Sequence, residues 1–179
     1  SVPEEINAII TRKVKISTDV SFASKSSYAA SPIPNRGPIP PKVGEETTYT
    51  VIWTLTNTSN AVVDGSVRAI LPSYVTWEGV VSPTDERVDF QQVGGMVTWN
   101  PGEIKPYTGL TTEPREVAFQ VSITPSLSQL GQIPVLLKDV VFTGRDEFTN
   151  ADFRISRGEL STETRGDPGY RPELGQVVR

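Results

Sequence analysis

Prolines and glycines recur at short intervals along the sequence, with 15 prolines and 14 glycines among 179 residues. Both residue types interrupt helices, and proline is also excluded from the interior of a sheet. The apolar runs between them are short and rich in valine, isoleucine and threonine, which favour the pleated surface of a strand. No stretch keeps an apolar period of about 3.6 residues over three helical turns. The sequence therefore predicts an all-β protein.

Alternating apolar and polar residues predict strands along most of the chain after residue 42. Gly94-Gly95 separates two such runs and predicts a tight hairpin. Lys138 and Asp139 interrupt another run, where a β-bulge is expected. About seven to nine strands in about 120 residues are typical of an immunoglobulin-like β-sandwich. The predicted strands are residues 49–55, 63–71, 74–81, 88–90, 96–99, 117–123, 135–143 and 153–155.

Five prolines lie between residues 31 and 41. This composition favours an extended, polyproline-like linker and predicts a boundary near residue 35. Residues 1–35 are then an N-terminal extended strand segment followed by the proline-rich linker. Residues 36–157 form the immunoglobulin-like β-sandwich, and residues 158–179 form a polar C-terminal extension.

The longest alternating pattern lies near the N-terminus, over residues 8–28. A kink is expected near residues 18–19. The apolar residues that share one face are Val14, Ile16, Val20 and Phe22. Leaving each of these side chains exposed would forfeit about 1.5–3 kcal/mol, so we predict that this face is a partner interface. The strand completes a preceding module, pairs with a neighbouring subunit, or folds back on its own sandwich. The third arrangement is the least favoured, because a proline-rich linker argues against a tight hairpin.

The sequence contains no cysteine and no histidine. A thiolate nucleophile, a Ser-His-Asp triad and an imidazole base are therefore excluded, as are nearly all zinc, copper and haem sites. The net charge of -4 argues against a nucleic-acid partner. No apolar run approaches the roughly 20 residues that span a bilayer, so no membrane insertion is expected. The composition predicts a protein that is not an enzyme and has no cofactor, unless it binds calcium.

The densest set of oxygen ligands lies between two predicted strands. Its members are Asp146, Glu147, Asn150 and Asp152. Calcium binds several carboxylate and carbonyl oxygens, so these residues are weak calcium candidates. Their spacing does not match an EF-hand loop and Arg145 lies beside them, so a solvated acidic loop is the preferred interpretation.

Two further patterns have both a functional and a structural interpretation. Trp53, Trp77 and Trp99 could form a carbohydrate platform, but each falls in an alternating strand, where core packing is favoured. Lys138 within an apolar strand could form an isopeptide bond with Asn57 or Asn100. The simpler interpretation of Lys138 is an edge-strand lysine that protects against aggregation.

Residues 43–58, Val-Gly-Glu-Glu-Thr-Thr-Tyr-Thr-Val-Ile-Trp-Thr-Leu-Thr-Asn-Thr, resemble the opening of a domain repeated in bacterial cell-wall and surface proteins. Leu71-Pro72 and the segment from Trp99 to Ile104 match later elements of the same pattern. Residues 38–44, 71–75 and 167–169 also look like the terminal module of long repeat proteins from candidate-phylum bacteria, and the resemblance covers about residues 35–170. Those domains usually have an aspartate two residues before the Leu-Pro leucine, where this chain has Ala69, so no role of that aspartate carries over.

The resemblance implies an immunoglobulin-like repeat on the bacterial cell surface, with no agreed catalytic residues. We therefore expect an extracellular, non-catalytic structural module, a stalk or fibre subunit that assembles through its N-terminal β-strand. Its expected partner is a neighbouring module or subunit of the same protein, in a homo-oligomer or a multi-domain chain. The alternative is an adhesin-type binding module for a glycan or a protein.

Overall fold

The computed structural model of the chain describes residues 10–179. It contains ten strands and two short 3-10 helices, Leu127–Gln129 and Pro172–Gly175. The strands are β1 (Val20–Ser27), β2 (Thr47–Asn57), β3 (Val62–Ile70), β4 (Val75–Ser82), β5 (Val88–Gln91), β6 (Met96–Ile104), β7 (Arg115–Ile123), β8 (Val135–Asp146), β9 (Asp152–Arg157) and β10 (Leu160–Ser161).

Two antiparallel sheets form a β-sandwich, which confirms the predicted fold class. The first sheet has the order β1-β2-β7-β4, and the second has the order β10-β8-β3-β6-β5, with β9 also paired to β8. Each predicted strand after residue 42 corresponds to an observed one, and the predicted β5–β6 hairpin forms. The predicted bulge also forms, since Asp139 has a φ of 54° and the β3–β8 register shifts beside it.

Aromatic side chains from both sheets meet at the centre of the core. Trp53 of β2 is fully buried between Trp99 of β6 and Phe119 of β7, with ring centroids 6.4 and 4.9 Å away. Phe22 of β1 contacts Trp53 edge-on at 6.4 Å and Phe142 of β8 at 6.0 Å. The core therefore includes a side chain from the N-terminal strand.

The N-terminal strand pairs with β2 of its own chain, which was the least favoured of the three arrangements. Eight consecutive residue pairs join β1 to β2 in antiparallel register. Val20 and Phe22 are buried in the chain's own core, so the prediction that these two residues form a partner interface is wrong. The strand begins at Val20 rather than near residue 8, after a break at the expected kink, and residues 1–9 lie outside the described region.

The proline-rich segment lies against the outer face of the first sheet rather than acting as a spacer between modules. Ile33 packs in a small cluster with Ile52 of β2 and Ala118 of β7. Asn35 Nδ2 donates to the Thr50 hydroxyl at 3.0 Å, and the same hydroxyl donates to Asn35 Oδ1 at 3.2 Å. The predicted linker is thus a cover for the sheet, and it permits the return from β1 to β2.

We expect Ile33→Ala to lower the free energy of unfolding by about 2–4 kcal/mol, because it removes a buried side chain from a small cluster. Urea unfolding followed by circular dichroism measures this change. The matched control is Ile16→Ala, at a side chain that is 75% exposed, where a change within about 0.5 kcal/mol is expected. Equal effects of the two substitutions would contradict the packed position of the segment.

The C-terminal part of the chain also contacts the body of the sandwich. Residues 158–179 include β10, and Val177 is buried. Lys42 and Val178 form an isolated parallel bridge, in which the Val43 amide donates to the Val178 carbonyl at 2.9 Å. Within residues 10–179, no helix has the length and apolar character needed to cross a membrane.

Candidate functional site

Asp146 closes the end of the sandwich where the chain enters it. Its carboxylate is fully buried at the end of β8 and accepts four hydrogen bonds from N–H groups. One oxygen accepts from the Thr18 amide at 2.7 Å and from the Asn60 side chain at 3.0 Å. The other accepts from the amides of Phe148 and Thr149 at 2.8 and 2.9 Å. Asp146 therefore links the start of β1 to the β2–β3 and β8–β9 connections.

Burial by itself would raise the pKa of the Asp146 carboxyl. The hydrogen bonds from Asn60, Thr18, Thr149 and Phe148 favour the charged form and lower the pKa to about 2. The ionised carboxylate is consequently the form that holds this end of the sandwich together.

The four calcium candidates do not form a shared oxygen cage. Both oxygens of Asp146 are engaged by N–H donors, and Asn150 accepts a hydrogen bond from Arg145 at 3.0 Å. Glu147 and Asp152 are exposed. Among residues 10–179 no group of three or more Asp, Glu, His or Cys side chains could hold a metal ion. The geometry matches a hydrogen-bonded hairpin rather than a cation site.

We expect millimolar calcium to leave the thermal midpoint of unfolding unchanged, because a cation would have to displace the N–H donors around Asp146. Differential scanning fluorimetry with calcium and with a chelator measures this. Magnesium at the same ionic strength is the control for nonspecific charge effects. A rise in midpoint that grows with calcium concentration would indicate binding to the native state.

A second buried polar group lies beside Asp146. The Thr18 hydroxyl donates to the Asn57 side-chain carbonyl at 2.6 Å. The Asn57 amide donates to the backbone carbonyls of Asn60, Ile104 and Lys105 at 2.7–3.2 Å. Since this amide is used in full and Lys138 lies exposed on β8, the two residues are not placed for an isopeptide bond.

Asp167 fixes the opposite end of β1, and sequence reasoning missed it. Its carboxylate accepts from the Ser27 hydroxyl at 2.5 Å and from the amides of Tyr28, Ala29 and Ala30 at 2.6–3.2 Å. Burial opposes ionisation here, but these hydrogen bonds lower the pKa of Asp167. The only sequence signal is the turn sequence Asp167-Pro168-Gly169, which lies within the predicted polar C-terminal extension. Aspartates from distant parts of the chain thus hold both ends of β1.

The residues immediately before β1 remain exposed. Val14 and Ile16 are 82% and 75% exposed, in contrast to Val20 and Phe22. The neighbouring Lys15 donates to the Phe148 carbonyl at 3.2 Å and lies 4.9 Å from the centre of the Phe148 ring. Of the four predicted interface residues, two are therefore available to a partner. We call residues 10–17 the N-terminal segment.

The three tryptophans are divided between the core and a groove. Trp53 and Trp99 are fully buried, so neither is available as a carbohydrate platform. Trp77 is half-buried and stacks on Phe90 with ring centroids 5.5 Å apart and planes 17° from parallel. This pair lies between β4 and β5, which are the edge strands of the two sheets. We call this the β4–β5 groove; Val75, Trp77 and Phe90 line it together with the polar residues Ser73, Thr76 and Gln92.

The two terminal segments lie at opposite ends of the sandwich. Thr18, at the start of β1, contacts the last residue of β8. Val178 pairs with Lys42, which precedes the start of β2, and β2 runs antiparallel to β1. The chain therefore enters at one end and leaves at the other, about 26 Å away along an eight-residue strand.

No known family model matches the sequence, and no curated protein matches it. Among solved structures, the chain is similar to a variant of BcpA, the major pilin subunit of Bacillus cereus, with a TM-score of 0.46 and 12% identity over 80% of this chain. It is similar to BcpA itself with a TM-score of 0.41 and 10% identity, again over 80% of this chain. The chain spans 40% of the length of each BcpA chain.

The chain is also similar to the RrgA Jo.In complex, with a TM-score of 0.41 and 7% identity. That match covers 70% of this chain and 81% of the other. The β-sandwich assignment rests on the strand pairing within the chain, described above.

Proposed function

We propose that this chain is a non-catalytic structural module of a bacterial surface protein, which carries tension between the elements joined at its two ends. One observation carries the proposal. The chain enters the sandwich at one end and leaves at the other, and both terminal segments are hydrogen-bonded to the body. The resemblance of about residues 35–170 to repeated bacterial surface domains supports an extracellular location.

The direction of pulling decides how such a sandwich resists force. Tension between the two ends acts along β1 and β2, whose hydrogen bonds lie perpendicular to the strands. All eight residue pairs are then loaded together. A force across one end would instead separate the strands one pair at a time. A connecting module that bears tension gains resistance to unfolding from the first geometry.

Single-molecule force spectroscopy tests the proposal directly. Because the chain has no cysteine of its own, introduced cysteines are the only attachment points for the handles. Handles attached to Thr11→Cys and Arg179→Cys pull along the sandwich. The control uses Thr11→Cys with Leu110→Cys, because Leu110 is 65% exposed in the loop at the end where the chain enters. We expect a higher unfolding force along the sandwich than across its end.

An unfolding force that is equal or lower along the sandwich would overturn the proposal. A glycan array supplies an independent comparison, since saturable binding of a defined glycan would favour the adhesin-type alternative. Partner pairing through the N-terminal segment is a finer part of the proposal.

A further inference from the structure

The β4–β5 groove is an open side of the sandwich. β4 pairs only with β7, and β5 pairs only with β6, so each has an outer edge without a strand partner within residues 10–179. Trp77 and Phe90 are half-buried between these two edges. An extended segment could add to the free edge of β5 and cover the stacked rings, as strands do in β-augmentation.

The N-terminal segment has the residue pattern of such a strand. Val14 and Ile16 are two residues apart and both strongly exposed, so an extended backbone would present them on one face. Lys13 and Lys15 would occupy the opposite face. Within its own chain the segment has no strand partner in the described region.

The charges of the two surfaces are complementary. Residues 10–17 contain one arginine, two lysines and no acidic residue. Residues 75–92 contain four acidic residues and one arginine. Asp85 and Asp89 are exposed and form no ion pair among residues 10–179. Because side chains alternate along β5, Phe90 faces the groove while Asp89 faces outward, where the lysines of an added strand would lie.

We propose that the β4–β5 groove binds the N-terminal segment of a second copy of this chain. Val14 and Ile16 cover Trp77 and Phe90, and Lys13 and Lys15 lie beside Asp89. The N-terminal segment and the groove are different surfaces of one molecule, so the contact is heterologous. Repeating it joins copies head to tail. This inference rests on the proposed structural function and identifies the partner surface of the exposed segment.

Sedimentation of the full chain tests the contact. We expect oligomers whose mean mass rises with concentration. Val14→Asp with Ile16→Asp should weaken association by about tenfold or more, because two apolar side chains no longer enter the groove. The control is Leu127→Asp, at a side chain that is 62% exposed but outside both surfaces. A wild-type chain that stays monomeric at every concentration would overturn the inference, as would equal association of the two variants.

A charge exchange tests the pairing of the two surfaces. One variant carries Lys13→Glu and Lys15→Glu, and the other carries Asp85→Lys and Asp89→Lys. Each variant alone brings like charges together and should stay monomeric, whereas an equimolar mixture should recover assembly. A mixture that fails to assemble while the wild-type chain does so would overturn the assigned groove.

These experiments separate the inference from the proposed function. The force measurement uses single molecules and does not depend on self-association. A monomeric chain that resists force along the sandwich would overturn the groove contact only. A chain that assembles but resists force equally in both directions would overturn the tension-bearing function only.

Discussion

Trp53→Ala is expected to lower the free energy of unfolding by about 3–5 kcal/mol. The indole is fully buried on β2, the central strand partner of both β1 and β7. It contacts Phe22, Trp99 and Phe119, so truncation removes apolar contacts with three other strands at once. It also leaves the Ser24 hydroxyl without the hydrogen bond that Trp53 Nε1 donates at 3.1 Å. Equilibrium urea unfolding followed by circular dichroism measures the loss.

Trp77→Ala is the matched control, because it removes the same side chain from a half-buried position on an edge strand. We expect a smaller loss of about 1–2 kcal/mol there. If Trp77→Ala were as destabilising as Trp53→Ala, the centre of the core would not lie where the four aromatic rings meet.

Asp146→Ala is expected to lower the free energy of unfolding by about 2–4 kcal/mol. The substitution removes a buried acceptor from two loop amides, the Thr18 amide and the Asn60 side chain. Buried N–H groups that lose a charged acceptor retain the cost of leaving water. Hydrogen exchange should increase first at the start of β1, because the Thr18 contact holds that strand to β8.

The same residue predicts a dependence of stability on pH. The pKa of Asp146 is about 2 in the folded chain, below its ordinary value of 3.8. The unfolded chain therefore binds a proton more readily between these values, so the stabilisation is present above pH 4 and is lost as the pH falls through 2. Wild-type stability should decline over this interval, and Asp146→Ala should show a shallower decline.

Asp152→Ala is the control for Asp146→Ala, since it removes an exposed aspartate from the next strand of the same hairpin. We expect a change within about 0.5 kcal/mol and an unaltered acid profile. Equal acid profiles for the wild type and Asp146→Ala would show that the carboxylate does not carry the stabilisation.

Much of the sandwich could be predicted because strand formation has a strong local signal. Alternating apolar residues in β2 and β7 mark the face that is buried, and Gly94-Gly95 marks the β5–β6 turn. The bulge at Asp139 was visible as a polar interruption of an apolar run. These features depend on residues that are close together in the sequence.

The position of β1 could not be predicted in this way. Its apolar face had to be buried, but the sequence does not indicate which surface covers that face. The prolines of residues 31–41 suggested a spacer, since proline cannot pair within a sheet. Instead, the segment lies on the outer face of the first sheet, where Ile33 packs on Ile52. Prolines are compatible with this position because the segment does not pair as a strand. Val14 and Ile16 are exposed in the folded chain, and their pairing with a partner stays a prediction.

The sequence by itself determined an all-β chain, the location of most strands and the absence of cysteine and histidine chemistry. Only the tertiary structure decided that β1 belongs to its own sandwich and that Asp146 and Asp167 hold its two ends. The physical reason is distance along the chain. The Thr18 amide and Asp146 are 128 residues apart, and the Ser27 hydroxyl and Asp167 are 140 apart. A local sequence pattern therefore cannot indicate that a carboxylate will accept hydrogen bonds from residues so distant in the sequence.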